Sequence, residues 1–418
     1  MKKLFALVLA AILILSAAAF AETELVFHTD PTTPGTDAGD LLENIGDFEE
    51  KTGYTVKFVE TPYADIHQKL LTVTMAGGTD YDACFVETDF VTQLAHAGVL
   101  EPLDDYIAAS DALNIEDYIP SVIERNTVDG VVYAIPQVAD VQTMIYNSEI
   151  LNELGIEAPE TIEAFIEYCE KASAAGYIPL ALRYDSSAIA TQLYGLFLFT
   201  DGGSFVKYDE EAGKWVANMD NEIGQKWVEN CRRIISTIDG DVLMTMDTTA
   251  MYDALNSGKA GATIAGAWLW DSVDEATGEK LVAAAFPKGS GNTVALMSGW
   301  NLAVFANSEK KDAAFELLEW KADPVMAIKT TAGLSGRADT EKYIHEVLDQ
   351  ETADRYLEFQ ALMQYGVGIS PTGFTLRGEM TTALNPVFQE VVFSDSMSPA
   401  DAAKLLNDTI QTVIDENA

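Results

Sequence analysis

Acidic side chains and tryptophans that follow predicted strands are the residues of this chain that could do chemistry. Glu87 and Asp89 come directly after an apolar run that ends at Val86, and His28 and Asp30 end the first strand-like run of the chain. Carboxylates accept short, charge-assisted hydrogen bonds from hydroxyl and ammonium groups. Because the carboxyl ends of parallel strands meet at one edge of a sheet, these acids should lie together at a binding cleft.

Three tryptophans stand close to glycines in the second half of the chain. Trp268 and Trp270 alternate after Gly266 at a predicted strand end, so one of the two rings should face the cleft, and we expect Trp268 to be that ring. Trp300 follows Gly299 at the start of another predicted strand. An aromatic ring next to carboxylates could cover the apolar face of a bound solute and exclude water from it.

The elements that must position these residues alternate between strand and helix. Before Pro136 the pattern predicts strands at 25–27, 54–58 and 83–86, with helices between them that stop at Gly53 and Gly77. The alternation resumes after Pro136, and the segment 324–413 is predicted to be mostly helical. The fold class is therefore α/β, with a parallel sheet and right-handed crossovers in each of two lobes, and a ligand cleft between them.

The N-terminus has the order of a secretory signal. Lys2 and Lys3 precede an apolar stretch from residue 4 to 15, and the small-residue site Ala19-Phe20-Ala21 follows it, which predicts cleavage before Glu22. The apolar stretch is shorter than the ~20 residues of a spanning helix. No cysteine lies near the cleavage site, so we expect neither a lipid anchor nor a direct membrane anchor.

Composition narrows the classes of partner. The 418 residues allow two domains with a core each, and a formal net charge of −41 argues against nucleic acid or an anionic membrane surface. The four histidines are scattered without metal-ligand spacing, so we expect no metal and no cofactor. Cys84, Cys169 and Cys231 lie on apolar stripes, which favours buried free thiols over a disulfide framework.

Four stretches, in this order, resemble the extracellular solute-binding proteins of bacterial ABC importers, in their sugar-binding branch, of which maltodextrin-binding protein is the best-known member. The resemblance covers nearly the whole chain after the signal. The stretches are Thr79 to Val86, Asp129 to Pro136 continuing to Asn147, Gly266 to Trp270, and Ser298 to Val304.

The resemblance implies a two-lobed periplasmic-binding-protein fold of type II, with parallel-sheet lobes joined by a hinge. Crossings between the lobes are expected near 137–143 and 297–299, and a third near 337–344. The first lobe would then comprise 22–137 and 299–343, and the second 138–298 and 344–418, after a signal peptide at 1–21. Both lobes would be discontinuous in sequence.

The resemblance also implies a function without catalysis: capture of a carbohydrate by cleft closure and its delivery to membrane permease subunits. Asp140 lies in the first crossing, where the family often carries an acidic sugar ligand, and Trp268 occupies the stacking position. Tyr184, Asp185 and Ser187 stand where relatives place second-lobe contacts. The full set of expected ligand residues is Trp268, Asp89, Asp140, Trp300, Glu87, Trp270, Asp30, His28, Arg337 and Arg183. We expect a monomer in the periplasm.

The sequence departs from the family at two positions, and three alternative functions stay open. Val86 is aliphatic where maltodextrin binders carry a tryptophan, which favours a shorter or different sugar, and Gly336 stands where relatives often have proline before the basic residue. The same fold could bind a cationic amine through its acids, or an anionic or phosphorylated solute through arginines. A secreted glycosidase would use two acids among Glu87, Asp89 and Asp140 as acid and nucleophile.

Overall fold

The computed structural model describes residues 23–32, 36–184, 189–331, 335–371 and 373–417. The predicted signal sequence lies outside these described residues, as do Asp185 and Ser187. Within the described ranges, no helix combines the length and the apolar character that crossing a membrane requires.

The first third of the chain alternates between strand and helix, as predicted, up to the end of the third strand. Short helices and a two-stranded hairpin follow. In chain order the elements are β1 (Glu24–Thr29), α1 (Asp37–Thr52), β2 (Thr55–Glu60), α2 (Tyr63–Met75), β3 (Ala83–Glu87), α3 (Val91–His96), α4 (Asp104–Ala109), α5 (Pro120–Glu124), β4 (Thr127–Val128) and β5 (Val131–Val132). Strand β1 pairs in parallel with both β2 and β3, which confirms the predicted parallel sheet here.

Capping residues explain where the first helix begins and ends. The side chain of Thr36 accepts a hydrogen bond from the Gly39 N–H, which satisfies a free donor of the first turn of α1. Gly53 ends the helix with a φ of 76°, a left-handed conformation that favours glycine. Leu41, Ile45 and Phe48 are spaced along one helix face and are buried against the sheet.

The middle third begins with one long strand and continues with helices and four short strands. Its elements are β6 (Ile135–Asn147), α6 (Ser148–Leu154), α7 (Ile162–Ala174), α8 (Gly195–Phe199), β7 (Val206–Asp209), β8 (Lys214–Ala217), α9 (Glu222–Ile235), α10 (Gly240–Thr245), α11 (Thr248–Asn256), β9 (Ala262–Ala265), α12 (Leu269–Ser272), α13 (Glu275–Gly278) and β10 (Leu281–Ala284).

The last third is mostly helical after its first strand, as predicted. It comprises β11 (Ala295–Val304), α14 (Lys311–Ala322), α15 (Pro324–Lys329), α16 (Ile344–Val347), α17 (Gln350–Leu362), β12 (Gly366–Val367), α18 (Arg377–Val392) and α19 (Pro399–Glu416). Short 3-10 and π turns at 88–90, 115–117, 189–193, 340–342 and 363–365 complete the described elements.

Two long strands, β6 and β11, connect the two halves of the molecule. They pair antiparallel with each other over 135–142 and 296–302. The end of β11 continues along β3, whereas the end of β6 continues along β9 and β10. The segments predicted as crossings, 137–143 and 297–299, lie in the centre of this two-stranded ribbon, which we call the crossing ribbon.

The sheet is mixed rather than parallel throughout. The pairings of the crossing strands with β3, β9 and β10 are all antiparallel. The strand β11 leaves the second half of the molecule in the direction opposite to β3, so it can extend the first sheet only in an antiparallel register. The expectation of parallel lobes therefore holds for β2–β1–β3 and not for the strands that join the lobes.

The buried apolar residues form separate cores on the two sides of the crossing ribbon. The larger core contains Trp227, Phe165 and Phe388 and belongs to the second lobe. The first lobe buries Phe27 and Phe85 on one side of its sheet, with a smaller cluster on the other side. Each lobe thus has buried apolar clusters of its own, which agrees with burial of apolar area as the main source of its stability.

The three cysteines lie inside these cores. Cys84, Cys169 and Cys231 are buried free thiols, which confirms the prediction from their positions. Burial raises the pKa of Cys84 to about 12 and raises the pKa of the other two thiols as well. None of the three is therefore set up as a reactive thiolate.

Candidate functional site

Polar side chains gather on one face of the crossing ribbon. Ser298 pairs directly with Asp140, and Trp300 pairs with Val138, so the side chains at these positions and at Gln142 point to the same face. Gln142 Nε2 lies 3.3 Å from Ser298 Oγ and 3.5 Å from Asp140 Oδ2. Ser298 Oγ lies 3.5 Å from the same carboxylate oxygen. A carboxylate thus stands at the middle of the ribbon, among amide and hydroxyl groups.

Trp268 reaches this carboxylate from the second lobe. Strand β9 ends at Ala265, the chain turns at Gly266, and the indole Nε1 of Trp268 donates a hydrogen bond of 3.1 Å to Asp140 Oδ2. A Cβ on Gly266 would collide with the Asp140 carboxylate and with the indole nitrogen of Trp268. Glycine at position 266 therefore allows the acid and the indole to meet.

The tryptophans of this segment lie on a helical turn and not on a strand end. Trp268 caps α12, and Trp270 lies inside it, because β9 has already ended three residues before Trp268. Trp270 donates its indole N–H to the Gly278 carbonyl, and its ring packs against Phe359 and Arg355. Of the two rings, Trp268 is the one that contacts Asp140.

The environment of Asp140 disfavours its charged form. Burial raises the pKa of Asp140 to about 6, and the hydrogen bonds from Trp268, Gln142 and Ser298 oppose that rise only in part. All three side-chain donors are neutral. The backbone N–H of Val141 is a further neutral donor, so no positive group among these contacts stabilises the ionised form of Asp140.

The acids at the end of β3, Glu87 and Asp89, have a different environment. Arg125 donates a hydrogen bond to Asp89 Oδ1, and Arg377 Nη2 donates to Glu87 Oε1 at 3.2 Å. Arg377 Nε lies 3.5 Å from Asp89 Oδ2. The exposed fractions of the four side chains lie between 2% for Asp89 and 15% for Arg125. We call Glu87, Asp89, Arg125 and Arg377 the charge cluster; two positive groups face two negative ones in it.

Two cavities adjoin these groups. The first lies in the first lobe and is lined mainly by apolar residues, with Trp300, Glu87 and Val86 among them. The second is polar and lies between Asp89 and Arg125 on one side and Ser370 and Phe374 on the other. Trp300 thus faces a cavity wall that contains the aliphatic Val86 noted in the sequence.

Two other residues expected at the site are engaged elsewhere. Arg337 is buried and donates hydrogen bonds to Asp339, Asp117 and the Ala322 carbonyl, so its guanidinium group cross-links loops of the protein. His28 was expected at the cleft mouth, but β1 runs on to Thr29 and buries the imidazole completely. In this conformation neither side chain offers a surface to a solute.

The remaining expected residues are less constrained. Asp30 follows β1, is partly exposed and accepts a hydrogen bond from the Thr29 hydroxyl. Arg183 is partly exposed next to residues outside the described ranges. Tyr184 is buried, and its hydroxyl donates to the Leu180 carbonyl. The structure therefore brings together Asp140, Trp268 and Trp300 of the expected set, and places Glu87 and Asp89 in the charge cluster.

Four residues of this region escaped the sequence analysis as site candidates. Gln142 and Ser298 could have been found from alternation along the crossing strands, because they share a face with Asp140. Arg125 has no sequence signal, since it stands at the end of a short helix far from Asp89 in the chain. Arg377 has only a general signal, since it is one of the few basic residues in an acidic chain.

Comparison with known proteins gives the family. The sequence pattern described as bacterial extracellular solute-binding protein matches residues 34–326, which is more than half of the chain. The chain belongs to this family. A binding protein of Brucella abortus is 25% identical over 308 residues, which cover 68% of this chain and 72% of that protein.

Solved structures share the fold of this solute-binding protein at low sequence identity. The GacH receptor of Streptomyces glaucescens, solved unliganded and with acarbose, superposes with a TM-score of 0.78 at 21% identity and covers 94% of this chain and 99% of its own. An ABC transporter solute-binding protein of Agrobacterium radiobacter, solved with ribitol, gives a TM-score of 0.78 at 15% identity and covers 94% and 98%. These likenesses confirm the two-lobed fold.

Proposed function

We propose that this solute-binding protein captures a neutral, hydroxyl-rich solute, a carbohydrate or polyol, and delivers it to the permease of an ABC importer. The observation that carries the proposal is the buried Asp140 carboxylate on the crossing ribbon, which receives only neutral donors and lies beside Trp268. Acarbose and ribitol, the ligands of the two structural neighbours described above, are both polyhydroxylated molecules.

The hydrogen-bonding capacity of Asp140 supports this ligand chemistry. An ionised carboxylate can accept about four hydrogen bonds. Two of its three side-chain donors, Gln142 and Ser298, stand at 3.5 Å, the outer limit of a hydrogen bond, so they use little of that capacity. A solute hydroxyl would supply a shorter, charge-assisted bond.

The indole rings near the carboxylate could recognise the apolar surface of the solute. Trp268 contacts Asp140 from the second lobe, and Trp300 shares its face of the crossing ribbon. A sugar or polyol has an apolar C–H surface besides its hydroxyls, and an indole ring can pack against that surface. Gln142 and Ser298 carry both donors and acceptors, which suits hydroxyls that do both.

A cationic amine is the second candidate ligand. The same observation favours it, because a buried carboxylate without a cationic partner could also bind an ammonium group. An anionic solute has less support, since Arg125 and Arg377 already face Asp89 and Glu87. A glycosidase reaction has less support for the same reason, because these two acids face guanidinium groups. We therefore propose binding without catalysis.

The boundaries of the two lobes and the location of the protein follow from the same function. We propose a first lobe of residues 22–137 and 299–343, a second lobe of 138–298 and 344–418, and closure of the two about the crossing ribbon. Closure lets the second lobe add its contacts to a solute already bound by the first, so the solute shifts the population toward the closed state. We also propose cleavage before Glu22, a periplasmic location and a monomer.

A thermal-shift screen of the chain from Glu22 onward tests the ligand class. The compounds are neutral sugars and polyols, polyamines, amino acids and sugar phosphates, each at a high concentration. A ligand at 100 times its Kd adds about 2.7 kcal/mol of stability, which shifts the thermal midpoint clearly. We expect stabilisation by one class of neutral sugar or polyol. Stabilisation by polyamines or phosphates alone would contradict the proposal.

A further inference from the structure

The charge cluster joins the two lobes. Glu87 is the last residue of β3 in the sheet of the first lobe and Asp89 follows that strand, whereas Arg377 is the first residue of α18. That helix is anchored in the second-lobe core, where Phe388 packs against Trp227 at 5.5 Å between ring centroids. The ion pairs of Arg377 with Glu87 and Asp89 therefore bridge the cleft.

Arg125 holds one of these carboxylates from within the first lobe. It follows α5, next to the β4–β5 hairpin, whose Val128 packs in a first-lobe core. Its guanidinium donates to Asp89 Oδ1, the oxygen that does not face Arg377. When the lobes separate, Arg125 can stay with Asp89 while Arg377 leaves, so Arg125 is a positioning residue.

Close steric contacts accompany the ion pairs. A Cβ on Gly368, in the segment that leads to α18, would collide with the Arg125 guanidinium. The guanidinium of Arg377 lies 4.6 Å from the centroid of the Phe90 ring, which follows Asp89 in the chain. The second lobe thus packs onto Arg125 and Phe90 with no side chain at position 368 to hold it away.

The net charge of the protein explains why contacts between the lobes would matter for closure. With a formal charge of −41, two acidic lobes repel each other as they approach. We propose that the charge cluster is a closure lock: Arg377 binds the carboxylates that Arg125 positions, and so favours the closed conformation even without solute. This role adds to the proposed binding site and assigns Asp89 to closure instead of solute contact.

Distance measurement between the lobes tests the lock without any solute. Spin labels are attached through Met75→Cys and Met244→Cys, since these side chains are 86% and 79% exposed, one on α2 and one on α10. The three native thiols are buried and should not react. Pulsed electron paramagnetic resonance then gives the fraction of molecules at the shorter, closed distance.

The key comparison is between Arg377→Gln and a matched control. We expect Arg377→Gln to lower the ratio of closed to open molecules about tenfold. Arg233→Gln removes an arginine that pairs with Glu163 inside the second lobe, so it should leave the ratio unchanged. High salt screens the repulsion between the acidic lobes more than it screens the buried ion pairs, so it should raise the ratio in Arg377→Gln and narrow its difference from the unsubstituted protein. Arg377→Lys should restore part of the closed fraction.

A steric variant keeps the test independent of charge removal. Gly368→Ala retains all four charged groups but places a methyl group against Arg125, so it should also reduce the closed fraction. An unsubstituted protein without a closed population at low salt, or closed fractions that are equal with and without Arg377 and Gly368, would overturn the lock. Because no solute is present, failure of the ligand proposal would not affect these readings.

Discussion

Asp140 and Asp89 are both buried acids of the cleft region, but their surroundings differ in kind. Asp140 receives hydrogen bonds from the neutral groups of Trp268, Gln142 and Ser298. Asp89 lies between the guanidinium groups of Arg125 and Arg377. The hydrogen-bond donors of the first carboxylate are all neutral, whereas two guanidinium groups pair with the second. The chemistry of a buried acid is thus decided by its neighbours and not by its burial.

The comparison predicts opposite effects of one substitution at the two positions. Asp89→Asn leaves two buried guanidinium groups without the carboxylate between them, and loss of one partner of a buried ion pair costs about 3 kcal/mol or more. We expect a lower midpoint of urea unfolding for the ligand-free protein. Asp111→Asn, an exposed acid of the first lobe, serves as the control and should change nothing. A midpoint equal to that of the control would show that the ion pairs of Asp89 do not stabilise the folded protein.

At position 140 the same change should act on binding. Asp140→Asn replaces a charged acceptor by a neutral amide of the same size, and a hydrogen bond to a charged group contributes about 1.5 to 3 kcal/mol. We therefore expect the Kd for the stabilising compound to rise by about 10- to 100-fold, measured by titration calorimetry at pH 7. Unchanged affinity in Asp140→Asn would remove Asp140 from the site.

The stability of the ligand-free protein should respond to pH through Asp140. Its pKa is raised from 3.8 to about 6, so the folded protein keeps this proton at a higher pH than the unfolded chain does. The corresponding stability is present below pH 4 and is lost as the pH rises to about 6. Asp140→Asn should therefore be more stable than the unsubstituted protein by about 3 kcal/mol at pH 7. The two should be equal at pH 4; a difference that does not depend on pH would contradict the assignment.

The smallest expected effect separates the two tryptophans of α12. Trp268→Phe keeps an aromatic ring but removes the N–H that donates to Asp140, a loss of about 1 kcal/mol in binding, or roughly a fivefold rise in Kd. Trp270→Phe removes an indole N–H that donates to a backbone carbonyl, and it should leave the Kd unchanged. Equal effects of the two substitutions would show that Trp268 acts through packing alone.

The order of strands and helices in the first lobe could be predicted from sequence, because the periodicity of apolar residues and the helix-ending glycines are local signals. The helical turn at Trp268 could not, since a four-residue helix has too few positions to show a period. The crossing ribbon was only partly predictable. Its residues were assigned to crossings, but the single strand from 135 to 147 depends on pairing with three partners distant in the chain.

Some residues of the candidate site could likewise be predicted from sequence and others could not. Asp140, Trp268 and Trp300 could be proposed from the resemblance, and the structure places them on or against one face of the ribbon. The charge cluster could not be predicted, because Arg377 stands 290 positions from Glu87 in the chain and nothing local marks the pair. His28 shows the limit of reasoning from strand ends. It is the second-last residue of β1, and its side chain is turned into the core.

A crystal structure of the protein with the compound that stabilises it most would show directly whether Asp140 binds the solute. We predict a neutral sugar or polyol with a hydroxyl within hydrogen-bonding distance of Asp140, its C–H face against Trp268, and Arg377 still paired with Glu87 and Asp89. A solute held by Arg125 and Arg377, with Asp140 in contact only with Trp268, Gln142 and Ser298, would contradict it.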